Sequence, residues 1–166
     1  MIQLIITGGT FDKTYDLLHG KLFFEHTHVP KMLRRSRCKL PIDILPLMLK
    51  DSLELTTEDL EQIVEACRKT PASSIVITHG TDTMVNTAKL LAAAKLKKTI
   101  ILTGAMIPYA FGSSSDGFIN LGCALAYAQT LPSEVYITMQ GQYFLWNEVQ
   151  KNKQEGFFEK LSPPLI

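Results

Sequence analysis

Three short turn sequences combine hydroxyl side chains with glycines, the residue types that nucleophilic attack on a carbonyl carbon requires. They are Thr7-Gly8-Gly9-Thr10, His79-Gly80-Thr81-Asp82-Thr83 and Thr103-Gly104-Ala105-Met106. A threonine hydroxyl becomes a nucleophile when a base removes its proton. Glycines let the backbone turn tightly and let its N–H groups face a developing oxyanion. These turns therefore predict hydroxyl groups beside oxyanion donors.

A nucleophilic threonine also needs a group that takes its proton, and the sequence offers two candidates. Tyr15 lies on the segment just downstream of Thr10, and Lys151 lies in the late polar segment 147–154. A lysine acts as a base when it is desolvated. Both candidates remain open from the residues alone.

Each turn also has a purely structural interpretation. TGGT by itself is a short glycine turn, and Thr81 or Asp82 is a candidate N-cap for the helix that follows. His79 is a candidate general base, but its place between a strand and a turn favours a local backbone hydrogen bond. Five small or polar residues between an apolar strand and an apolar helix favour a functional role for the second turn.

The turns follow short apolar runs, which are typical of strands buried on both faces of a parallel sheet. Five strands are predicted, at residues 2–7, 42–47, 74–78, 99–103 and 134–139. Helical spacing predicts helices at residues 57–69, with a threonine cap, 82–96 and 115–130. This alternation predicts an α/β fold with a doubly wound, mostly parallel sheet in three layers, of the Rossmann or flavodoxin kind. Ligands of such sheets bind beyond the carboxyl ends of the strands.

Two segments fall outside this alternation. Residues 11–40 predict a hairpin followed by a short helix near Pro30, and a connection of this length is typically functional. Beyond Gln140 the pattern weakens. We therefore predict a catalytic domain over residues 1–155 and a linker-like C-terminal tail over residues 156–166.

Composition restricts the partners. A chain of 166 residues with 46% hydrophobic residues fits one compact domain, and a net charge of +1 argues against nucleic acid or anionic membrane as partners. The basic residues Arg34, Arg35, Arg37 and Lys39 are interpreted as a solvated helix face.

Metal and cofactor sites are not predicted. His26 and His28 are interpreted as surface histidines because no third ligand stands at suitable spacing. Three widely spaced cysteines indicate reduced thiols. The N-terminus lacks the features of a signal peptide, so a cytoplasmic location is expected.

The order and spacing of these motifs resemble the bacterial-type L-asparaginases, whose signatures are a TGGT turn with its nucleophilic threonine and an HGTDT turn. The match continues through Gly104-Ala105-Met106, Ser115-Asp116-Gly117 and Glu148-Val149-Gln150-Lys151. It covers roughly residues 1–155 and corresponds to the family's N-terminal domain only.

The resemblance implies roles for particular residues. Thr10 would attack the amide carbon, and Tyr15 would lie on a mobile loop that closes over the site. Thr81 and Lys151 would form a hydrogen-bonded pair, and Asp82 would accept the substrate α-ammonium. The other implied substrate contacts are Ser52, which would bind the α-carboxylate, and Gly9, Asp51, Gly80 and Ala105.

The implied reaction is hydrolysis of L-asparagine to L-aspartate and ammonia through a β-aspartyl ester, with L-glutamine as a weaker substrate. Because a one-domain site that is open at the sheet edge needs something to exclude water, and because members of the family assemble, we expect this chain to form homo-oligomers. One alternative is a non-catalytic module that binds aspartate or asparagine. Another is an amidase for a larger substrate such as a misacylated tRNA, against which the neutral charge argues.

Overall fold

The computed structural model describes residues 1–161, which form a six-stranded sheet between two layers of helices. The strands are β1 (Ile2–Gly8), β2 (Lys13–Asp16), β3 (Lys21–Phe24), β4 (Ile42–Lys50), β5 (Ser74–Thr78), β6 (Thr99–Thr103), β7 (Val135–Met139), β8 (Gln142–Leu145), β9 (Val149–Asn152) and β10 (Phe157–Lys160). The helices are α1 (Val29–Arg35), α2 (Thr57–Lys69), α3 (Met84–Ala93) and α4 (Gly117–Thr130).

The main sheet has the order β4-β1-β5-β6-β7-β8, with the first five strands parallel and β8 antiparallel to β7. The chain runs from β1 outward to β4 and then returns to the other side of β1 to form β5. This reversal is the topological switch point of a doubly wound sheet, where a crevice opens at the carboxyl ends of the strands. The predicted fold class and its five parallel strands are confirmed.

Alternating side chains of the central strands fill two cores. Ile5 and Ile77 pack towards α2 and α3, whereas Leu4, Ile6 and Val76 pack towards α1 and α4. All are fully buried, as expected for strands covered by helices on both faces. The sheet is therefore a rigid platform for the turns at its carboxyl edge.

The helices begin close to the predicted residues. Helix α2 spans the predicted residues 57–69. Thr56 caps it, because the Thr56 hydroxyl accepts from the Asp59 N–H and the Asp59 carboxylate accepts from the Thr56 N–H. α3 starts two residues later than predicted, at Met84, and α4 starts at Gly117.

Strand β4 extends beyond the predicted end at Leu47 to Lys50. It lies at the edge of the sheet, where Pro46 is tolerated because no further strand needs its missing N–H. The extension pairs Lys50 with Gly8 and lets the Lys50 carbonyl accept from the Gly9 N–H at 2.8 Å. The residues that follow β4 are thereby placed beside the TGGT turn.

The segment between β1 and β4 forms the predicted hairpin, β2–β3, and the predicted short helix, α1, with Pro30 in its first turn. The weakening predicted beyond Gln140 is wrong, because β8 joins the main sheet and β9 pairs with β10. A linker-like tail from residue 156 is wrong for Phe157–Lys160, which form β10 and bury Phe158 in the core. The rest of the predicted tail, after residue 161, lies outside the described residues.

Cys38, Cys67 and Cys123 are free thiols. Burial raises the pKa of the Cys67 thiol to about 12, so it stays protonated at neutral pH. Over residues 1–161, none of the helices combines the length and apolar character needed to cross a bilayer.

Candidate active site

The TGGT and HGTDT turns touch at the switch point through their glycines. Gly9 has a positive φ of 74°, and a Cβ atom added to it would lie 2.4 Å from the backbone nitrogen of Gly80. No side chain fits at that distance. The ends of β1 and β5 therefore approach each other backbone to backbone, and Thr10, the next residue, lies at this junction.

Two further strand ends join the same surface. A Cβ atom on Gly80 would lie 2.6 Å from the Ser52 hydroxyl oxygen after β4, and one on Gly104 after β6 would lie 2.4 Å from the His79 carbonyl oxygen. The turns after β1, β4, β5 and β6 thus pack directly on one another. The predicted site residues Gly9, Thr10, Ser52, Gly80 and Thr81 come together because of these contacts.

Thr10 opens a short 3-10 turn, Thr10–Asp12, that directly follows Gly9. It is partly exposed to solvent. Within residues 1–161 its hydroxyl makes no hydrogen bond, so the oxygen is free to approach a ligand.

Lys151 provides an ammonium group beside the HGTDT turn. Its Nζ donates to the Thr81 hydroxyl at 2.8 Å and to the Asp82 Oδ1 at 2.7 Å. The Lys151 side chain is 11% exposed, whereas that of Asp82 is 40% exposed. The predicted pairing of Thr81 with Lys151 has this geometry, and the second carboxylate oxygen of Asp82 remains open to solvent.

Neither Thr81 nor Asp82 caps the helix that follows. The N-cap of α3 is Thr83, whose hydroxyl instead donates to the Ser52 carbonyl oxygen at 3.1 Å. The capping interpretation of Thr81 and Asp82 is therefore wrong. Their side chains are directed to Lys151 instead of to the helix backbone.

His79 supports the turn from behind. The imidazole is fully buried, donates from Nδ1 to the Gly80 carbonyl oxygen at 2.7 Å and accepts at Nε2 from the Thr87 hydroxyl at 2.9 Å. Burial lowers its pKa, which keeps the ring neutral, and the Gly80 carbonyl oxygen, which can only accept, requires the proton on Nδ1. Both ring nitrogens are occupied, so the geometry favours the structural interpretation of His79.

Ser52 and Asp51 line the site from the end of β4. The Ser52 hydroxyl is buried, with the residue 3% exposed, and has no hydrogen-bond partner within residues 1–161. An orphan hydroxyl in such a place is expected to be satisfied by a ligand or by water. Asp51 accepts from the Leu53 N–H at 3.2 Å and from the Lys13 ammonium.

The ionisation of Asp51 reflects opposing effects. Burial raises its pKa, but the hydrogen bonds from Lys13 and the Leu53 N–H, together with the charges of Lys13 and Lys151, outweigh burial and hold the pKa below its usual range. Asp51 is therefore a carboxylate at neutral pH. The sequence reasoning missed Lys13, although a lysine three residues after the candidate nucleophile was a signal available in the sequence.

The loop that contains Ala105 is held by a polar network that runs from the partly exposed Asp116 to the buried Asn120. Asp116 accepts from the N–H groups of Met106 and Ile107, each at 3.0 Å. The Asn120 amide donates to the Gly104 carbonyl oxygen and to Asp116, both at 2.9 Å. Ala105 is therefore fixed beside Gly104 at the carboxyl end of β6.

Tyr15 is not joined to this cluster in the described part of the chain. It is half exposed on β2, opposite Leu22, and a Cβ atom on Gly20 would lie 3.7 Å from its hydroxyl oxygen. The hydroxyl thus lies near the hairpin turn and makes no hydrogen bond within residues 1–161.

Two other sequence interpretations have different outcomes. The basic residues Arg34, Arg35, Arg37 and Lys39 are exposed, as predicted, but the helix-face interpretation is wrong for Arg37 and Lys39, because α1 ends at Arg35. The Arg35 guanidinium also donates to the Tyr109 hydroxyl at 3.0 Å. The surface interpretation of the histidines holds for His26 but is wrong for His28, which is 8% exposed, contacts the Thr14 hydroxyl at 3.1 Å and packs against Tyr109. Within residues 1–161, no group of three or more His, Cys, Asp or Glu side chains is arranged to hold a metal ion.

The carboxyl edge of the sheet therefore presents two ammonium groups and two carboxylates, from Lys13, Lys151, Asp51 and Asp82, around free hydroxyl groups. These charges sum to zero, which matches a zwitterionic ligand. The fold and the site together define a doubly wound α/β domain with a threonine, lysine and aspartate centre at its switch point.

The chain belongs to the asparaginase family. The family model described as "Asparaginase, N-terminal" matches residues 1–162. L-asparaginase 1 of Escherichia coli (strain K12) is 34% identical over 175 residues, which cover 99% of this chain and 51% of that protein.

Solved structures are similar over the same extent. L-asparaginase I from Vibrio cholerae superposes with a TM-score of 0.82 at 27% identity, covering 98% of this chain and 52% of that one. The thermostable L-asparaginase from Thermococcus kodakarensis gives a TM-score of 0.81 at 26% identity, covering 99% of this chain and 52% of that one. The chain spans about half the length of these relatives.

Proposed function

We propose that this domain hydrolyses the side-chain amide of L-asparagine, with Thr10 as the covalent nucleophile. The observation that carries the proposal is the Lys151 ammonium bonded to Thr81 and Asp82 beside the turn that presents Thr10. A free hydroxyl, a desolvated amine and glycine turns at one edge of a sheet are the components of acyl transfer through a covalent intermediate.

Substrate binding uses the charges of the site. The open oxygen of Asp82 accepts the α-ammonium of the substrate, and the orphan hydroxyl of Ser52 donates to its α-carboxylate. The side-chain amide then extends towards Thr10. Fixing both ends of the amino acid places the amide carbon for attack, which is the main benefit of such positioning.

In the first half-reaction the Thr10 oxygen attacks the amide carbon while its proton passes to a base. The tetrahedral intermediate collapses with cleavage of the C–N bond, and the nitrogen leaves as ammonia after taking a proton. A β-aspartyl ester of Thr10 remains. Water then attacks the ester carbon, which releases L-aspartate and returns the proton to Thr10.

The oxyanion needs backbone donors. The Gly9 N–H is occupied by the Lys50 carbonyl oxygen, whereas the N–H groups of Thr10 and Thr81 make no turn or loop hydrogen bond within residues 1–161. We therefore assign Thr10 and Thr81 as the donors. Gly9 and Gly80 contribute by allowing the close backbone approach, and Ala105 bounds the site on the side of β6.

Two groups remain candidates for the base. Lys151 lies next to Thr81, with 2.8 Å between its Nζ and the threonine hydroxyl, and it can take a proton through Thr81 only after its ammonium has released one. Tyr15 makes no hydrogen bond with Thr10, Thr81 or Lys151 within residues 1–161. The present geometry favours Lys151.

A second candidate function is a non-catalytic module that binds aspartate or asparagine. The observation that favours it is the length of the chain, which covers 51% of E. coli L-asparaginase 1. Such a module keeps the Asp82 and Ser52 contacts and lacks turnover.

The test is ammonia release from L-asparagine, and separately from L-glutamine, by purified wild-type protein and Thr10→Ala. Thr10→Ser is the matched control because it retains a hydroxyl at the same atom. Turnover that disappears in Thr10→Ala, persists in part in Thr10→Ser and leaves the circular dichroism unchanged is the expected result. Wild-type rates in Thr10→Ala would refute the nucleophile, and aspartate binding without any ammonia release would establish the binding module.

Homo-oligomer formation and a cytoplasmic location are further proposals, based on the family. Exposed apolar side chains near the site, Met106, Ile107 and Phe157, support assembly because a second copy would cover them. Sedimentation of the purified chain at micromolar concentration tests it, and a monomer would refute it.

A further inference from the structure

We propose that Lys13 is a positioning residue for the reaction, because its ion pair with Asp51 holds the β2–β3 hairpin, and Tyr15 with it, against the strand end that carries Ser52. This inference rests on the proposed function and deepens it. It concerns how the hairpin is held over the site.

The pair joins two elements that are distant in the chain. Lys13 is the first residue of β2, and its Nζ binds the Asp51 Oδ2 across 38 positions of sequence. The Lys13 ammonium also lies 5.7 Å from the ring centroid of Phe24, its cross-strand neighbour. The side chains of Lys13 and Asp51 are 18% and 29% exposed, so the pair is less screened by solvent than an ordinary surface ion pair.

The alternation of side chains along β2 links this pair to Tyr15. Residues 13 and 15 of a strand point to the same face, and residue 14 points to the opposite face. Thr14 contacts the buried His28 at 3.1 Å, which fixes the opposite face to the body of the domain. Holding Lys13 on Asp51 therefore turns the face that carries Tyr15 towards the strand ends.

The rest of the hairpin has few attachments. Leu17 and Leu18 at its tip are 86% and 90% exposed, and Leu22 on β3 is also exposed. The described contacts of the hairpin with the domain are made by β2, through Lys13, through Thr14 and against residues 109–114. Removal of the Lys13 charge is therefore expected to free the tip and displace Tyr15.

Both carboxylate oxygens of Asp51 have a partner in this arrangement. Its Oδ1 accepts from the Leu53 N–H and its Oδ2 from Lys13, whereas only the Oδ1 of Asp82 has a partner within residues 1–161. Asp51 thus fixes Lys13 to the residue directly before Ser52. In this proposal Asp82 binds the substrate ammonium, whereas Asp51 binds the Lys13 ammonium of the hairpin.

The experiment compares Lys13→Met, Lys13→Arg and the control Lys21→Met, which removes an exposed lysine from the same hairpin. Lys13→Met is expected to lower kcat/KM by about 100-fold, the size of effect that misplacement of a catalytic group by ~1 Å produces. Lys13→Arg restores most of the loss because it keeps the ion pair. Asp51→Asn serves as a second variant if Lys13→Met does not fold.

A readout specific to positioning is the combination with Tyr15→Phe. If Lys13 acts through Tyr15, Lys13→Met lowers activity little further in the Tyr15→Phe background, because coupled residues are not additive. The inference would be overturned if the activity losses of Lys13→Met and Tyr15→Phe multiply in the double variant, or if Lys13→Met is as active as Lys21→Met.

Hydrogen exchange tests whether Lys13 holds the hairpin without a measurement of enzymatic activity. Amides of residues 13–24 are expected to exchange faster in Lys13→Met than in wild type or Lys21→Met. Unchanged exchange would show that Lys13 does not hold the hairpin. A wild-type protein without ammonia release refutes the proposed function instead, and the exchange data still decide whether the ion pair fixes the hairpin.

Discussion

The carboxyl group of Asp12 makes the stability of this domain depend on pH in a way that one substitution isolates. Asp12 is fully buried at the base of the hairpin, where its Oδ1 accepts from the His28 N–H at 2.8 Å and from the Thr27 hydroxyl at 3.1 Å. Its Oδ2 is buried without a hydrogen-bond partner in residues 1–161. Burial raises the pKa of Asp12 from 3.8 to about 6, against the lowering by His28, Thr27 and the charge of His26.

The direction of the effect follows from proton binding. Between pH 3.8 and about 6 the folded protein holds a proton on Asp12 that the unfolded chain has released, so stability falls as pH rises through this window. The contribution of Asp12 to the free energy of unfolding is fully present below pH 3.8 and is lost as the pH rises to about 6. A pKa difference of about two pH units corresponds to about 3 kcal/mol, at 1.36 kcal/mol for each unit.

Asp12→Asn removes this titration and keeps an oxygen that accepts from the His28 N–H and the Thr27 hydroxyl. The free energy of unfolding of the variant minus that of wild type is therefore expected to rise by about 3 kcal/mol between pH 4 and pH 8. The lowered pKa of His28 contributes equally to the pH dependence of both proteins, so it cancels in the difference between their free energies of unfolding.

The measurement is urea unfolding from pH 4 to pH 8, followed by the fluorescence of Trp146, the one tryptophan in the chain. Glu61→Gln, a change at an exposed carboxylate on α2, is the control and should give a flat difference. A flat difference for Asp12→Asn would refute the reasoning, because it would mean that Asp12 is ionised equally in both states.

Two further predictions concern the contacts that build the site. Gly80→Ala places a methyl group 2.6 Å from the Ser52 side chain and should abolish turnover and lower the melting temperature. The control Gly122→Ala, whose Cβ has open space on α4, should stabilise the domain by about 1 kcal/mol. Equal shifts of the melting temperature in the two variants would contradict this packing. Asn120→Ala removes the amide that binds the Gly104 carbonyl and accepts from the Gln140 N–H, and should cost about 2–4 kcal/mol in urea unfolding. Asn147→Ala, at an exposed position, is its control, and a loss no larger than that of the control would contradict the network.

Local patterns determined much of this fold. Short apolar runs predicted the five parallel strands because a strand covered on both faces is apolar throughout. The cap signal placed the start of α2 to within a residue, since a threonine with an acidic residue three positions later satisfies the free N–H groups locally. The glycine turns were visible for the same reason, because close backbone approach excludes any side chain.

The arrangement of charges at the site depended on tertiary structure. Strands β8, β9 and β10 are short and mix polar with apolar residues, so no periodicity distinguishes them. The contact that brings Lys151 to Thr81 spans 70 positions and exists because β9 packs beside α3. The burial of His28 and the Lys13–Asp51 pair likewise depend on how the hairpin folds back over the sheet. A sequence determines which groups can ionise or donate, but their partners are decided by distances that only the packed sheet sets.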